Sequence, residues 1–413
     1  MSKFKWETEF RETEIGKIPR QWETLPLEKC AGAIIDYRGK TPRKSSSGIP
    51  LITAKIVKNG RILEPEEFIP IDDYYTWMRR GIPQPGDVIL TTEAPLGEVA
   101  QLDERKVALA QRIIALRGKP GLLENNYLGF VLRSSVIQHE LNKRVTGTTV
   151  LGIKQKELRN VLIPIPPLNE QKFVSDILLL FDKKIELSYH MNRILEKIAM
   201  AVFKSWFIDF EPFKDGEFVH GEMEDIPKGW KVTKLTEIFE LVKGKRCDLH
   251  EKYVNGDMPY LLIETYKTGN VTYWTNEKQP FADRLDIALV ADGESSGKVL
   301  RFQRGILGST LLMLKPRFNI PDVRHFAYLL LKVTENELME HRTGSAIPHL
   351  DKYYLADIEI PLPQDSILQK FNSIVEPLFR RIILNQTQII VLRKIRDVLL
   401  PLLVFGKLRV EEI

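Results

Sequence analysis

The sequence predicts an α+β chain, with two α/β globular units in tandem separated by two long antiparallel coiled-coil helices. Three observations carry this expectation. Val174, Leu178, Phe181, Ile185, Ser188, Asn192, Leu195, Ala199, Val202 and Trp206 fall at alternating steps of four and three, the period of a coiled-coil seam. The same seam returns 197 residues later as Val375, Leu378, Ile382, Asn385, Ile389, Leu392, Arg396, Leu399 and Leu403. Ahead of each seam, short motifs recur in the same order.

Those motifs define a unit of about 200 residues. Lys17-Ile-Pro-Arg-Gln-Trp22 returns as Asp225-Ile-Pro-Lys-Gly-Trp230, offset by 208. Gly97-Glu-Val99 matches Gly297-Lys-Val299 at 200, and Thr146-Gly-Thr-Thr-Val-Leu-Gly-Ile153 matches Thr343-Gly-Ser-Ala-Ile-Pro-His-Leu350 at 197. Ile163-Pro-Ile-Pro166 matches Ile360-Pro-Leu-Pro363 at 197. An offset that drifts places the insertions in loops. The copies agree at their edges and along the helix. They disagree between, where Lys40–Lys58 and Lys245–Lys267 share little beyond turn residues and apolar positions.

The elements follow from local pattern. Pro50–Val57, Asp87–Thr92 and Val107–Leu116 have the β-branched, apolar character of strands, and Pro85-Gly86 turns the chain before the second. Asn125–Lys143 carries helical spacing, and Val161–Ile165 reads as a closing strand. Residues 211–221 are polar, with glycine and proline, and break the first long helix. Helices of about 40 residues span roughly 60 Å. Duplication favours a pseudo-two-fold pairing in which they run antiparallel. Pro377, lacking an amide donor, is expected to kink or restart the second helix, and Pro401 to end it. The domains so read are 1–165, 166–210 (first helix), 211–360 and 361–413 (second helix and tail).

Length and composition place the chain among ordinary globular proteins of two or three domains. Cys30 and Cys247 stand alone, without metal-type spacing, as reduced thiols. MSKFKWETEF has no apolar core of a signal peptide and no run approaches a membrane span, so a cytoplasmic protein without membrane contact is expected. Net charge is +5, distributed unevenly. Residues 1–164 hold 26 Lys and Arg against 20 Asp and Glu, while residues 211–360 hold 20 against 24. Only the first half hints at an anionic partner.

Catalytic motifs are absent where chemistry would require them. There is no Gly-rich methyl-donor loop and no Asp/Asn-Pro-Pro-aromatic tetrapeptide, since Pro166-Pro167 is followed by Leu168-Asn169. Gly39-Lys40-Thr41 lacks the upstream glycine of a phosphate loop. The seven histidines form no paired metal motif. A metal-dependent nuclease built on Asp87, Glu104 and Lys106 is an alternative, though the second copy lacks the pattern. A two-domain protein-interaction scaffold joined by a coiled coil is another.

Taken together, the paired Ile-Pro-x-x-Trp openings, the Thr-Gly-[Thr/Ser] segments, the Ile-Pro-[Ile/Leu]-Pro strand ends and the Gln-Lys-Phe helix starts (Gln171–Phe173, Gln369–Phe371) make the whole chain resemble the specificity subunit of Type I restriction-modification enzymes. The family's Gly-Gly-Thr-Pro loop is approximated by Gly39-Lys40-Thr41-Pro42 and replaced by Gly244-Lys245-Arg246-Cys247 in the second copy. The resemblance implies two target recognition domains, each reading half of a bipartite sequence in double-stranded DNA. It implies helices that set the spacing and dock two methyltransferase (modification) subunits, with restriction/translocase subunits added. It also implies no activity and no cofactor in this chain, with S-adenosylmethionine, ATP and Mg held by the partners. Phosphate contacts position such a protein and base-edge contacts specify. The residues expected to make them are Arg38, Lys40, Thr41, Arg43, Lys44, Lys154 and Lys156 in the first unit. In the second they are Lys243, Lys245, Arg246, Lys298, Arg301, Ser345 and His349.

Overall fold

The computed structural model describes residues 3–37, 39, 41–146, 152–220, 225–317, 323–344 and 347–411. It divides into two compact units, Met1–Lys184 with Leu392–Ile413, and Ile185–Val391. Both long helices, Leu168–Phe207 and Asp365–Val404, contribute one part to each unit.

In the first unit a four-stranded antiparallel sheet runs Leu96–Gln101, Val88–Thr92, Ile113–Gly118, Ala31–Asp36. Side chains alternate across it, as a strand's two-residue period demands. Val88, Leu90, Ile114 and Leu116 face a core shared with Asn125–Arg133 and the long-helix residues Val174, Leu178, Leu400, Leu403 and Val404. Ile89, Ala115 and Ile35 face a second core, beneath Ile49–Ile52 and its parallel partner Ala108–Leu109. The Ile-Pro-x-x-Trp opening buries Ile18 and Trp22, and the Trp22 indole donates to Glu170 Oε2 at 3.1 Å.

The second unit repeats the central sheet and the parallel pair of this plan. Its central sheet runs Phe239–Lys243, Leu311–Pro316, Ile287–Val290, Val299–Leu300, and Met258–Leu261 pairs in parallel with Gly305–Leu307. The closing strand Glu359–Leu362 pairs with Lys231–Lys234, as Leu162–Ile165 pairs with Glu23–Pro26. Its main core gathers Phe203, Phe207, Phe326, Phe371, Val375, Phe379 and Ile382. Phe207 meets the rings of Phe326 and Phe371 edge-on, each at 4.8 Å, the arrangement their quadrupoles favour.

Within each unit the two helix segments run antiparallel. In the second, Phe203 and Phe207 near the end of one helix pack on Phe371 near the start of the other, while Asn192 meets Asn385. In the first, Asp182 meets Arg396 and Glu170 meets Arg409. Every residue of the expected seam is buried or half-buried. The polar ones are paired: Asn385 donates to Asn192 at 2.7 Å, and Asp182 lies 2.6 Å from Arg396 and 2.5 Å from Arg133. Outside the seam, Leu180, Leu187, Ile194 and Ile198 on the first helix and Leu384, Val391, Ile395 and Val398 on the second are exposed. Leu187, Ile194 and Ile198 lie 197 residues before Leu384, Val391 and Ile395.

Four local expectations are corrected. Pro377 does not restart the second helix and Pro401 does not stop it, since helix runs unbroken over Asp365–Val404. One missing donor costs less than losing the seam contacts of the buried Val375, Phe379 and Leu403 around it. Asn125–Lys143 is two helices, broken where Ser134 adopts an extended backbone and its hydroxyl accepts from the Ile137 amide. Val107–Leu116 is likewise two strands, Ala108–Leu109 and Ile113–Gly118.

The chain ends meet, which periodicity gave no sign of. Lys3–Trp6 pairs antiparallel with Leu408–Glu411, and Arg409 binds Glu7 and Glu170, each at 2.8 Å. The Glu9 amide and the Arg409 guanidinium hold the Glu7 carboxyl at about 2.

Two outcomes follow. Asn192→Leu alone strands a buried amide and should cost roughly 1–3 kcal/mol, while Asn192→Leu with Asn385→Leu should recover most of it. Denaturant midpoints of the three variants decide this, and a double variant as weak as the summed singles would contradict it. Glu7 is depressed in the folded state, so its contribution is complete above the ordinary carboxylate range and disappears as pH falls toward 2. Amide exchange in Lys3–Trp6 should rise over that window in the native chain and lose this pH dependence in Glu7→Gln.

Candidate nucleic-acid interface

Each unit places charged side chains at one corner, where the central strand ends beside the Thr-Gly segment. In the first unit Val88–Thr92 leads into Glu93, which bridges to Gly152. In the second, Ile287–Val290 leads to Asp292, which bridges to His349. The two acids occupy corresponding places, and so do Gly152 and His349.

The basic partners differ. Arg112 Nε lies 3.0 Å from Glu93. Asp292 instead takes Lys243 at 2.5 Å and the His349 Nδ1 at 2.9 Å. Partial burial works to raise the Asp292 carboxyl, but Lys243 and His349 outweigh it and hold the group below the usual carboxylate range. The Thr343–His349 loop closes on itself through reciprocal backbone bonds between those two residues, and its Pro348 carbonyl accepts from Gly293. Asp292 thus ties a strand end, a loop and a lysine into one assembly.

Beside Glu93 lies a cleft of about 270 Å³ between the Thr41–Lys44 loop, the end of strand Ile49–Ile52 and the turn Ala110–Arg112. Thr41 and Lys44 line it, as expected of that loop, with Lys44 paired to Glu67 at 2.7 Å. Gln111, Arg112 and Lys55 line it too. Gln111 and Arg112 escaped sequence reading because Val107–Leu116 looked like one continuous strand, and Lys55 because Pro50–Val57 did, whereas that strand ends at Ile52. The available signal was that Glu93 and Asp292 each lie a few residues before the paired Gly97-Glu-Val99 and Gly297-Lys-Val299 motifs.

The remaining expected residues are scattered. Arg43 is exposed and paired with Asp73 at 2.9 Å. Lys154 precedes the short helix Gln155–Arg159, on which Lys156 lies, and both lysines are exposed. Lys245 and Arg246 are exposed, and Lys298 is half-buried in the turn before Val299–Leu300. Arg301 is not a surface cation. It is 4% exposed, donates to the Leu285 carbonyl at 3.0 Å, and lies 5.1 Å from the rings of both Tyr328 and Phe379. Arg38, Lys40 and Ser345 lie outside the described residues.

The nuclease alternative loses its carboxylate. Asp87 is 1% exposed and held by Arg117 in two hydrogen bonds of 2.7 and 2.8 Å, while Lys106 sits over the Tyr74 ring at 4.2 Å. Burial pushes the Cys30 thiol up to about 12. Among the described residues no group of three or more His, Cys, Asp or Glu is placed to hold a metal ion, and no helix is long and apolar enough to cross a membrane.

Fold and side chains define a class: one scaffold carried twice, with different charged groups at the same corner of each copy. The family described as "Type I restriction modification DNA specificity domain" matches this chain twice, over residues 22–198 and 227–394. The chain is 34% identical to the Type I restriction enzyme MjaIX specificity subunit of Methanocaldococcus jannaschii, across 100% of this chain and 99% of that one. It is 24% identical to the MjaVIII specificity subunit of the same organism, across 98% and 97%. Among solved structures it resembles the S subunit of a Type I restriction-modification system from M. genitalium, with 18% identity, a TM-score of 0.54, and coverage of 93% and 96%; that likeness is one of fold. The chain belongs to this family and is a DNA specificity subunit of a Type I restriction-modification system.

Asp292→Ala should free the second unit's loop. The pair is about a third exposed, so the global loss is about 1 kcal/mol or less. Exchange at the Thr343 and His349 amides should nevertheless rise several-fold. The Asp292 carboxyl is lower in the folded state, so the wild type should lose this protection only as pH falls through the folded value. Unchanged exchange in Asp292→Ala would show that the loop is held by its backbone alone.

Proposed function

We propose that each globular unit reads one half of a bipartite DNA target, that the paired helices set the unspecified gap, and that their outer faces dock methyltransferase subunits. The observation that carries this reading is the shared corner with unshared chemistry: Glu93 with Arg112 in one copy, Asp292 with Lys243 and His349 in the other. A scaffold that keeps its central sheet and changes such a corner suits two different sequences. Thr41, Arg43, Lys44, Lys154 and Lys156 serve the first half-site. Lys243, Lys245, Arg246, Lys298 and His349 serve the second. Cations that touch phosphate position the protein, and those that reach base edges discriminate.

Docking rests on the exposed rows Leu187, Ile194, Ile198 and Leu384, Val391, Ile395. A repeated apolar row outside the seam fits two copies of one partner, since like surfaces recur at like positions. The chain itself carries no catalytic step in this reading. S-adenosylmethionine, ATP and Mg²⁺ belong to the modification and restriction subunits, and the complex works in the cytoplasm.

Co-expression with the cognate modification subunit, followed by mapping of N6-methyladenine, tests the proposal. Two short specified blocks around a fixed gap are expected, and a continuous motif would refute it. Deleting one heptad from both helices should shorten the gap and leave both blocks intact. Changed blocks with an unchanged gap would remove the spacer role.

A further inference from the structure

The corner that holds the cleft beside Glu93 has a counterpart in the second unit, and the two are filled differently. Strand register aligns them: Leu51 pairs in parallel with Ala108 as Tyr260 pairs with Ile306. Tyr260 therefore stands where Leu51 stands, and Ser309 where Gln111 stands. In the second unit the Tyr260 hydroxyl closes the corner, donating to the Lys245 carbonyl and accepting from the Ser309 amide, each at 2.9 Å. The scaffold accepts a filled corner, so the open cleft of the first unit is not imposed by the fold.

The chemistry of the opening is specific. Its floor is apolar, from Leu51, Ala54 and Ala110. Two of its cations are already matched, Lys44 by Glu67 and Arg112 by Glu93. Besides the hydroxyls of Thr41 and Thr53, two longer polar side chains remain at the rim. Lys55 is exposed and Gln111 is half-buried, and neither pairs with another described side chain. An amide offers a donor and an acceptor side by side, the pattern that matches the N6 and N7 edge of adenine in the major groove. One unmatched ammonium beside it suits a phosphate. With a volume near the lower limit of small-ligand sites, ~300 Å³, the cleft admits a base edge or a thymine methyl rather than an extended ligand.

We propose that this cleft is the base-reading site of the first unit, with Gln111 as a specificity-determining residue and Lys55 as the neighbouring phosphate contact. The proposal rests on the reading of the chain as a two-part DNA reader. Gln111 discriminates at one base-pair position of one half-site. Lys55 adds affinity that is blind to sequence.

The test uses the assembled complex with modification subunits and maps methylated sites. Gln111→Ala should make one position in one block degenerate, lowering discrimination there on the order of 10-fold to 100-fold, with the other block and the gap unchanged. Gln111→Glu, an acceptor-only side chain, should move the preference at that position toward a C·G pair. Lys55→Ala should lower methylation of all sites alike and reduce the salt dependence of DNA binding. Gel filtration and the melting temperature establish that each variant assembles. An unchanged motif with Gln111→Ala, a change confined to the other block, or a uniform fall at every site in an assembled complex would overturn the assignment. A wild-type motif without two blocks would instead sink the bipartite reading, and the one-position effect of Gln111 would remain measurable within it.

Discussion

The structure depends on the burial of two long apolar seams inside one chain. Neither long helix has enough neighbours along its own sequence to cover its stripe. Each unit's core includes helix residues from both: Val174 with Leu403 in the first, Phe203 with Phe371 in the second. Burial of apolar surface supplies the drive, and the polar residues in the seam restrict how it is satisfied. Asn192 with Asn385, and Asp182 with Arg396, are paired in one register. A slide of one turn would leave the buried Asn192 and Asn385 amides without each other and part Asp182 from Arg396, at a cost comparable to several buried methylenes. The apolar positions hold the helices together, and the polar ones choose where.

That restriction leaves the globular parts free to diverge. Both units build the same four-stranded sheet and the same parallel pair, because those elements carry the core. Divergence concentrates where strands end: Leu51 against Tyr260, Glu93 against Asp292, Gly152 against His349. Glu93, Asp292, Gly152 and His349 are polar, small or at the surface, while Leu51 and Tyr260 are buried and the Tyr260 hydroxyl is hydrogen-bonded in its place. A protein that must keep its frame and alter what it contacts has its freedom in such corners.

Much of the architecture was legible in the sequence. The seam could be read because helix periodicity is a property of the local chain, and the duplication because its offsets recur. The site was less legible, for physical reasons. A cation's role depends on what it faces across the fold: Arg301 reads like Lys298 in sequence, yet it is buried against Tyr328 and Phe379. Gln111 lay hidden because a three-residue turn between apolar runs leaves the β pattern almost undisturbed. The helix does not restart at Pro377, because tertiary packing that the local sequence does not show retains the backbone around it. The joined chain ends are a contact between residues some 400 positions apart, which local patterns cannot encode.

The division of the long helices bears on the order in which the protein is made. The second unit, Ile185–Val391, is one uninterrupted stretch of chain, whereas the first needs Leu392–Ile413 to finish its core. Most of the first unit is synthesised before the second, yet it is completed after it. Until Leu392–Ile413 have left the ribosome, Val174, Leu178 and the Tyr127 hydroxyl lack Leu403 and the Val404 carbonyl. An early unit with an open apolar face is a natural client for chaperones. A truncation that removes Leu392–Ile413 would accordingly injure the earlier-made of the two units.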